Sequence, residues 1–238
     1  MDGNGRWAQL RGEPRPEGHR AGAAAVRKIV REARRRGIQA LTLFAFSEQN
    51  WQRPDFEVNA LMSLLLQFLV DERKELLENQ IALRAIGRLE RLPREVREKL
   101  DELARETAPG ARMTLTLALS YGGREELVDV FRAMAEEVAA GRLAPEEIDE
   151  ALVDARLPSV AVGQVDLLIR TGAEQRISNF LLWGAAYAEL YFSSKLWPDF
   201  EEGDLVAALD HYKTRDRRFG RVADSRPMKT EVAKRGTE

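Results

Sequence analysis

Three short apolar runs between Ile38 and Ser120, each separated from the next by a charged stretch of helical periodicity, limit the fold more than any other feature. Ile38 to Phe46 (IQALTLFAF) is apolar almost throughout, Ile81 to Ile86 is shorter, and Arg112 to Ser120 (RMTLTLALS) alternates cleanly. A strand that is apolar on both sides has to be covered on both faces. The intervening stretches supply the cover. Ala21 to Arg36 reads as an amphipathic helix stopped by Gly37, Phe56 to Asn79 as a long helix, and Pro93 to Thr107 as a charged amphipathic helix. The pattern continues with a helix over Gly123 to Gly141 and a short helix opened by Pro145. A strand over Val165 to Arg170, a short last strand over Leu190 to Phe192 and a last helix over Leu205 to Arg217 complete it. Strands alternating with helices predict an α/β fold, a single domain whose mostly parallel central sheet is flanked by helices. No internal repeat or low-complexity linker divides the chain.

The first half of the Phe56–Asn79 helix, NALMSLLLQFLV, is apolar nearly all round, which places it in the core or along an apolar cavity. Charged residues are 32% of the 238, but the signs nearly cancel and the formal net charge is -2. That balance argues against a general nucleic-acid binder. It still allows a local anion site, because a few arginines in a cleft barely change the total. The absence of cysteine removes disulfides, thiolate metal sites and cysteine nucleophiles together, and suits a reducing cytoplasm. No apolar run approaches the ~20 residues that span a bilayer. The N-terminus carries no signal pattern.

In open α/β folds, sites form at the carboxyl ends of strands. Polar clusters follow Phe46, Ser120 and Ile169 in this chain. The first begins Ser47-Glu48-Gln49-Asn50-Trp51-Gln52-Arg53-Pro54, which also suits a solvated loop with a packed Trp. The cluster after Ile169 runs Arg170-Thr171-Gly172-Ala173-Glu174-Gln175-Arg176-Ile177-Ser178-Asn179. Two arginines and a serine just past a strand make a diphosphate clamp, because guanidinium forks match phosphate oxygens, although a structural ion-pair network would also use them. Near the N-terminus, Asp2-Gly3-Asn4-Gly5-Arg6-Trp7 sets glycines beside a carboxylate and an arginine, so backbone N–H groups can approach an anion closely. There is no Gly-x-x-x-x-Gly-Lys phosphate loop or dinucleotide fingerprint, which leaves a nucleotide-binding reading without support.

Taken in order, MDGNGRWA, FSEQNWQRP, YGGR and DLLIRTGAEQRISNFLLWGAAYAELYF, followed by LWPDF and RRFG, resemble the cis-prenyltransferase family across residues 1 to 221. The resemblance implies a catalytic domain over 1–221, with 222–238 as a polar, disordered tail. It implies an enzyme that adds isopentenyl diphosphate units to farnesyl diphosphate, giving a long polyprenyl, undecaprenyl-length diphosphate used as lipid-carrier precursor for cell-wall glycans. It further implies Mg2+ as cofactor, a homodimer, and a cytoplasmic location with peripheral contact at the inner membrane face.

Residue by residue, the resemblance gives catalytic roles to Asp2 and Asn50. It gives substrate binding to Asn4, Gly5, Arg6, Trp7, Arg15 and His19 at the allylic end, and to Ser47, Trp51 and Arg53 in the loop that closes over the substrates. Arg170, Arg176 and Ser178 match the isopentenyl diphosphate clamp, and Asp2 and Glu189 the magnesium carboxylates. The greasy helix, with Ala45 and Met113, becomes the wall of an acyl tunnel. The paired Asp-Asp-x-x-Asp of trans-prenyltransferases is absent, in agreement with the cis class.

Three departures stand out. The family has a short apolar strand before Asp-Gly-Asn-Gly, and this chain starts one residue before Asp2, so that strand is expected to be missing. Gln49 stands where Glu is usual, keeping hydrogen-bonding reach without charge. Ala173 replaces a usual Gly, a strained choice if the backbone there has positive φ, and Ser120 replaces a common Asn. The alternative from another class is a non-catalytic subunit that stabilises a partner; retention of Asp2, Arg170, Arg176 and Ser178 argues for the enzyme.

Overall fold

The computed structural model describes residues 1–215. Its centre is the strand β3 (Met113–Tyr121), buried at nearly every position, because it runs between two parallel neighbours with helices on both faces. β1 (Ala40–Ser47) and β2 (Ile81–Ile86) flank it in the order β1-β3-β2, with Leu43 beside Leu117 and Leu83 beside Leu115. A second parallel sheet pairs β4 (Leu167–Arg170) with β5 (Glu189–Phe192). The parallel α/β architecture is as expected, but the sheet comes in two pieces of three and two strands. Residues at Asp2 bond to Thr171 at the end of β4 and do not run alongside it as a strand.

Helices α1 (Asn4–Gln9) and α2 (Arg15–Arg35) pack closely near the site. A Cβ on Gly18 would lie 1.9 Å from the Asn4 carbonyl oxygen, and one on Gly22 2.4 Å from the Asn4 side-chain oxygen. These two glycines therefore let α1 rest directly on α2. Farther along α2, Ala25, Ile29 and Ala33 enter the main core, which they share with Leu43, Leu115 and Leu119. Helix α5 (Arg94–Thr107) buries Val96, Leu100 and Leu103. Its last residue, Thr107, accepts from the Leu83 N–H at 2.9 Å and donates to the Leu103 carbonyl at 2.7 Å, locking the helix end to β2.

Most predicted elements end within two residues of their expected limits, and three differ: the second helix, the long helix and the last helix, which spans Glu202–Lys213 and not Leu205–Arg217. Helix α2 starts at Arg15, six residues before the expected Ala21, because Pro16 sits in its first turn, where a missing N–H is tolerated. The long helix is interrupted at Glu72 into α3 (Asp55–Asp71) and α4 (Arg73–Glu78), and Arg27 of α2 pairs with Asp71 and Glu72 at the interruption. Nor is α3 apolar core all round. Val58, Met62 and Leu69 are buried, while Phe56 is 70% and Val70 52% exposed. Helix α6 (Gly123–Ala139), the short α7 (Glu150–Arg156) and α8 (Glu202–Lys213) complete the described chain. The RRFG motif and the polar tail lie outside the described residues.

Because Leu115 is fully buried at the middle of the central strand, Leu115→Ala leaves a cavity in the main core. It should cost about 3 kcal/mol, read as a lowered urea midpoint with unchanged slope.

Candidate active site

The N-terminal segment meets the far end of the chain at the carboxyl end of β4. The Asp2 N–H donates to Thr171 Oγ1 at 2.9 Å, the Thr171 hydroxyl donates to the Asp2 carbonyl at 2.9 Å, and the Trp197 N–H donates to the same carbonyl at 2.9 Å. With its backbone held on three sides, Asp2 presents its carboxylate to two arginines. Arg170 Nη2 reaches Oδ2 at 2.8 Å and Arg6 Nη2 reaches Oδ1 at 3.4 Å. Burial pushes the Asp2 carboxyl up, but the bond from Arg170 and the charges of Arg170 and Arg6 together hold it below the usual aspartate value. It is therefore ionised at neutral pH.

Arg170 is shared. Its Nη1 donates to Ser178 Oγ at 2.6 Å and to the Arg176 carbonyl, and its Nε is buried without a partner. Arg176 pairs with Glu174, whose other oxygen lies 3.8 Å from Arg6. Asp2, Arg6, Arg170, Arg176 and Ser178 thus form one cluster. The clamp backbone is strained: Ala173, Ser178, Asn179 and Leu181 all have φ between +47° and +62°. The expected strain at Ala173, at +62°, is thus present.

A second cluster gathers round a residue that the sequence did not single out. Glu57, on the first turn of α3, is 5% exposed, yet its carboxylate faces Arg53 at 2.9 Å, Arg15 at 3.5 Å and His19 at 3.8 Å. Burial, then the charge of Arg53, lowers the His19 pKa, with Glu57 opposing, so the ring is neutral near pH 7. The two clusters touch at Gly5, where a Cβ would lie 2.7 Å from the Arg15 guanidinium carbon. The first-turn N–H groups of α1 have no partner within the helix. Between Arg6 and Arg15 they make a cradle suited to phosphate oxygens. Asn4 has its side-chain oxygen buried without a partner. Trp7 is committed elsewhere, its indole N–H on Asp199 at 2.7 Å with Arg11 stacked on its ring.

The loop after β1 is a turn of 3₁₀ helix over Glu48–Gln52. Asn50 Oδ1 accepts from the Ser47 N–H at 3.0 Å, fixing the turn and leaving the amide Nδ2 for other partners. Trp51 packs edge-on against Phe46 and donates to Ser120 Oγ at 2.9 Å. Ser120, with φ +46°, donates in turn to Glu48 at 2.7 Å, and Glu48 also pairs with Arg91. Glu48 is therefore occupied on the β3 side and does not stand in for the charge absent at Gln49. Beyond Arg15 and His19, a groove of about 260 Å³ opens between α2 and α3, lined by Ala60, Leu61 and Leu64 among others. Met113 is core, and Ala45 lies exposed on β1.

Glu189 is not brought to Asp2. It opens β5 beside Leu167, whereas Arg170, which carries Asp2, is three residues on at the other end of the strand pair, a separation of about 10 Å at ~3.3 Å per residue. Glu189 lies 3.7 Å from Arg215 instead. No three acidic or imidazole groups cluster as a metal cage among the described residues. The half-exposed, ionised Asp2 carboxylate still suits magnesium, which keeps water and binds through one or two carboxylates plus phosphates.

Comparison with known proteins agrees with this geometry. A family model described as "Putative undecaprenyl diphosphate synthase" matches residues 1–220. The ditrans,polycis-undecaprenyl-diphosphate synthase ((2E,6E)-farnesyl-diphosphate specific) of Xanthomonas axonopodis pv. citri is 51% identical over 220 residues, 92% of this chain and 86% of that protein. The synthase of the same name from Escherichia coli K12 is 48% identical over 220 residues, 92% and 87% of the two chains. Among solved structures, lavandulyl diphosphate synthase from Lavandula x intermedia, in complex with dimethylallyl diphosphate, superposes with a TM-score of 0.90 at 40% identity, covering 92% of this chain and 95% of that one. A probable undecaprenyl diphosphate synthase from Campylobacter jejuni gives 0.74 at 34% identity, covering 84% and 92%.

The strained residue at 173 gives a direct test. Ala173→Gly relieves a left-handed conformation that costs an L-residue about 1 kcal/mol, partly offset by the freer unfolded chain. A small rise in the urea midpoint is expected, and a fall would show that the Ala173 methyl makes contacts that outweigh the strain.

Proposed function

The chain belongs to the undecaprenyl diphosphate synthase family of prenyltransferases, and on that premise we propose that it condenses isopentenyl diphosphate units onto farnesyl diphosphate. Each new double bond is cis, and the product is a long polyprenyl diphosphate of undecaprenyl length. The observation that carries the reading is the ionised Asp2 carboxylate held between Arg6 and Arg170, with a cation cluster on each side. We assign the allylic diphosphate to Arg6, Arg15 and the first-turn N–H groups of Asn4 and Gly5, with His19 and Arg53 completing that side. The isopentenyl diphosphate goes to Arg170, Arg176 and Ser178.

In each round the isopentenyl double bond attacks the allylic carbon, the carbon–oxygen bond to the diphosphate breaks, and a proton leaves the isopentenyl unit. The chain's contribution is to hold the two ends in line and to place positive charge where the leaving oxygen becomes negative. Arg6 and Arg15 supply that charge. On the loop, Asn50 has Nδ2 available, a donor suited to substrate oxygens, while Ser47, Trp51 and Arg53 set the loop's position. Asp2 would hold magnesium, which when bound would supply neutralisation of part of the developing charge. The groove between α2 and α3 takes the growing apolar chain.

We further propose one catalytic domain over 1–221 with the tail beyond it, and a homodimer. Exposed Val128 and Phe131 on α6 and Leu190 on β5 support the dimer, being apolar surface that a partner would cover. No helix among the described residues is long and apolar enough to cross a membrane. We infer work in the cytoplasm with peripheral delivery of product to the inner membrane face.

Asp2→Ala should abolish turnover and, by leaving Arg170 without its counter-charge, lower the unfolding midpoint, while the circular dichroism spectrum at assay temperature stays that of a folded protein; near-normal turnover would overturn the assignment. Arg176→Ala should raise the KM for isopentenyl diphosphate about tenfold or more, with a much smaller change for farnesyl diphosphate. Equal changes in both would contradict the clamp.

A further inference from the structure

One carboxylate joins the loop to the clamp. Glu125, on the first turn of α6, points one oxygen at each. Oε1 accepts from the Gln49 side-chain amide at 3.1 Å, and Oε2 accepts from the Asn179 side-chain amide at 2.7 Å. Asn179 is itself fixed from the other side: its Oδ1 accepts from the Arg124 N–H at 2.8 Å, and its carbonyl accepts from the Gly123 N–H at 2.7 Å. The next residue back is Ser178, whose hydroxyl accepts from Arg170, which also holds Asp2. A continuous path therefore runs from the loop that carries Asn50 to the guanidinium at the centre of the clamp. Gly122 makes room for it. A Cβ there would lie 2.1 Å from Glu125 Oε2 and 2.6 Å from Asn179 Nδ2.

We propose that Glu125 is a positioning residue that couples closure of the Glu48–Gln52 loop to the geometry of the isopentenyl diphosphate clamp, and that Gln49 is uncharged because it has to donate to that carboxylate. A glutamate at position 49 has no proton to donate at neutral pH, and it would set a second negative charge against Glu125. The amide at position 49 and the acid at position 125 are thus one complementary pair. The proposal rests on the reading of the loop and of Arg170–Ser178 as substrate-binding, and it adds that the two move together.

The test is a charge swap. Gln49→Glu should lower kcat/KM for isopentenyl diphosphate about tenfold, the loss of one charge-assisted hydrogen bond. The double variant Gln49→Glu/Glu125→Gln rebuilds the pair with donor and acceptor exchanged. Its new amide on α6 can donate to the new carboxylate on the loop and still accept from Asn179. It should return to within about threefold of the parent. A single variant as active as the parent, or a double variant no better than the single, would overturn the coupling. Amide hydrogen exchange gives a readout independent of turnover. In Gln49→Glu, exchange should quicken over both 47–53 and 172–180, and the double variant should restore both. Quickening of 47–53 alone would reduce Glu125 to a local tether and contradict the proposal. If the parent makes no polyprenyl product, the substrate reading fails, while exchange still decides the coupling.

Discussion

The contact between Asp2 and Arg170 holds the site together, and it does so across 168 positions of sequence. Arg170's side chain is 13% exposed and so its guanidinium needs a counter-charge; without one its burial would be costly. Asp2 supplies it, and the Thr171 and Trp197 bonds keep the Asp2 backbone from drifting. The same guanidinium then orients Ser178 and the Arg176 carbonyl. A single desolvated cation therefore fixes the N-terminal segment, the end of β4 and the clamp in one arrangement. The cation at its centre is thus oriented by the chain's own groups alone.

The rest of the fold serves to bring that contact about. β3 needs cover on both faces because it is buried at nearly every position, and the cover forces parallel crossovers that gather strand ends on one side. The turn after β1, the Ser120 end of β3 and the Arg170 end of β4 all lie at such ends. Ser120 shows how tightly the first two are joined, since its hydroxyl accepts from the Trp51 indole N–H and donates to Glu48. Helix α1 can sit beside them only because Gly18 and Gly22 leave its partner helix bare.

Much of this was legible in the residues. Apolar runs located β1, β2 and β3 to within about two residues, because burial on both faces leaves a composition that little else produces. The residues assigned to the site were found through long motifs in a fixed order, which periodicity alone would have left as polar loops. What escaped were contacts between polar residues remote from each other in sequence. Glu57 meets Arg15 from 42 positions away, Trp51 meets Ser120 from 69, and Gln49 meets Glu125 from 76. Nothing local distinguishes such a carboxylate from a solvated one on a helix. Gln49 did register, as a departure from the usual glutamate, but its reason lay on another helix. The interruption at Glu72 was equally hidden, since its ion-pair partner Arg27 belongs to α2.

Incubation of the protein with farnesyl diphosphate, radiolabelled isopentenyl diphosphate and magnesium, with product length read by chromatography, tests the central claim most directly. A ladder of labelled polyprenyl diphosphates ending in a product of undecaprenyl length is predicted. Failure to incorporate label from a folded protein would contradict it, and would favour a non-catalytic subunit that keeps the cation clusters without using them.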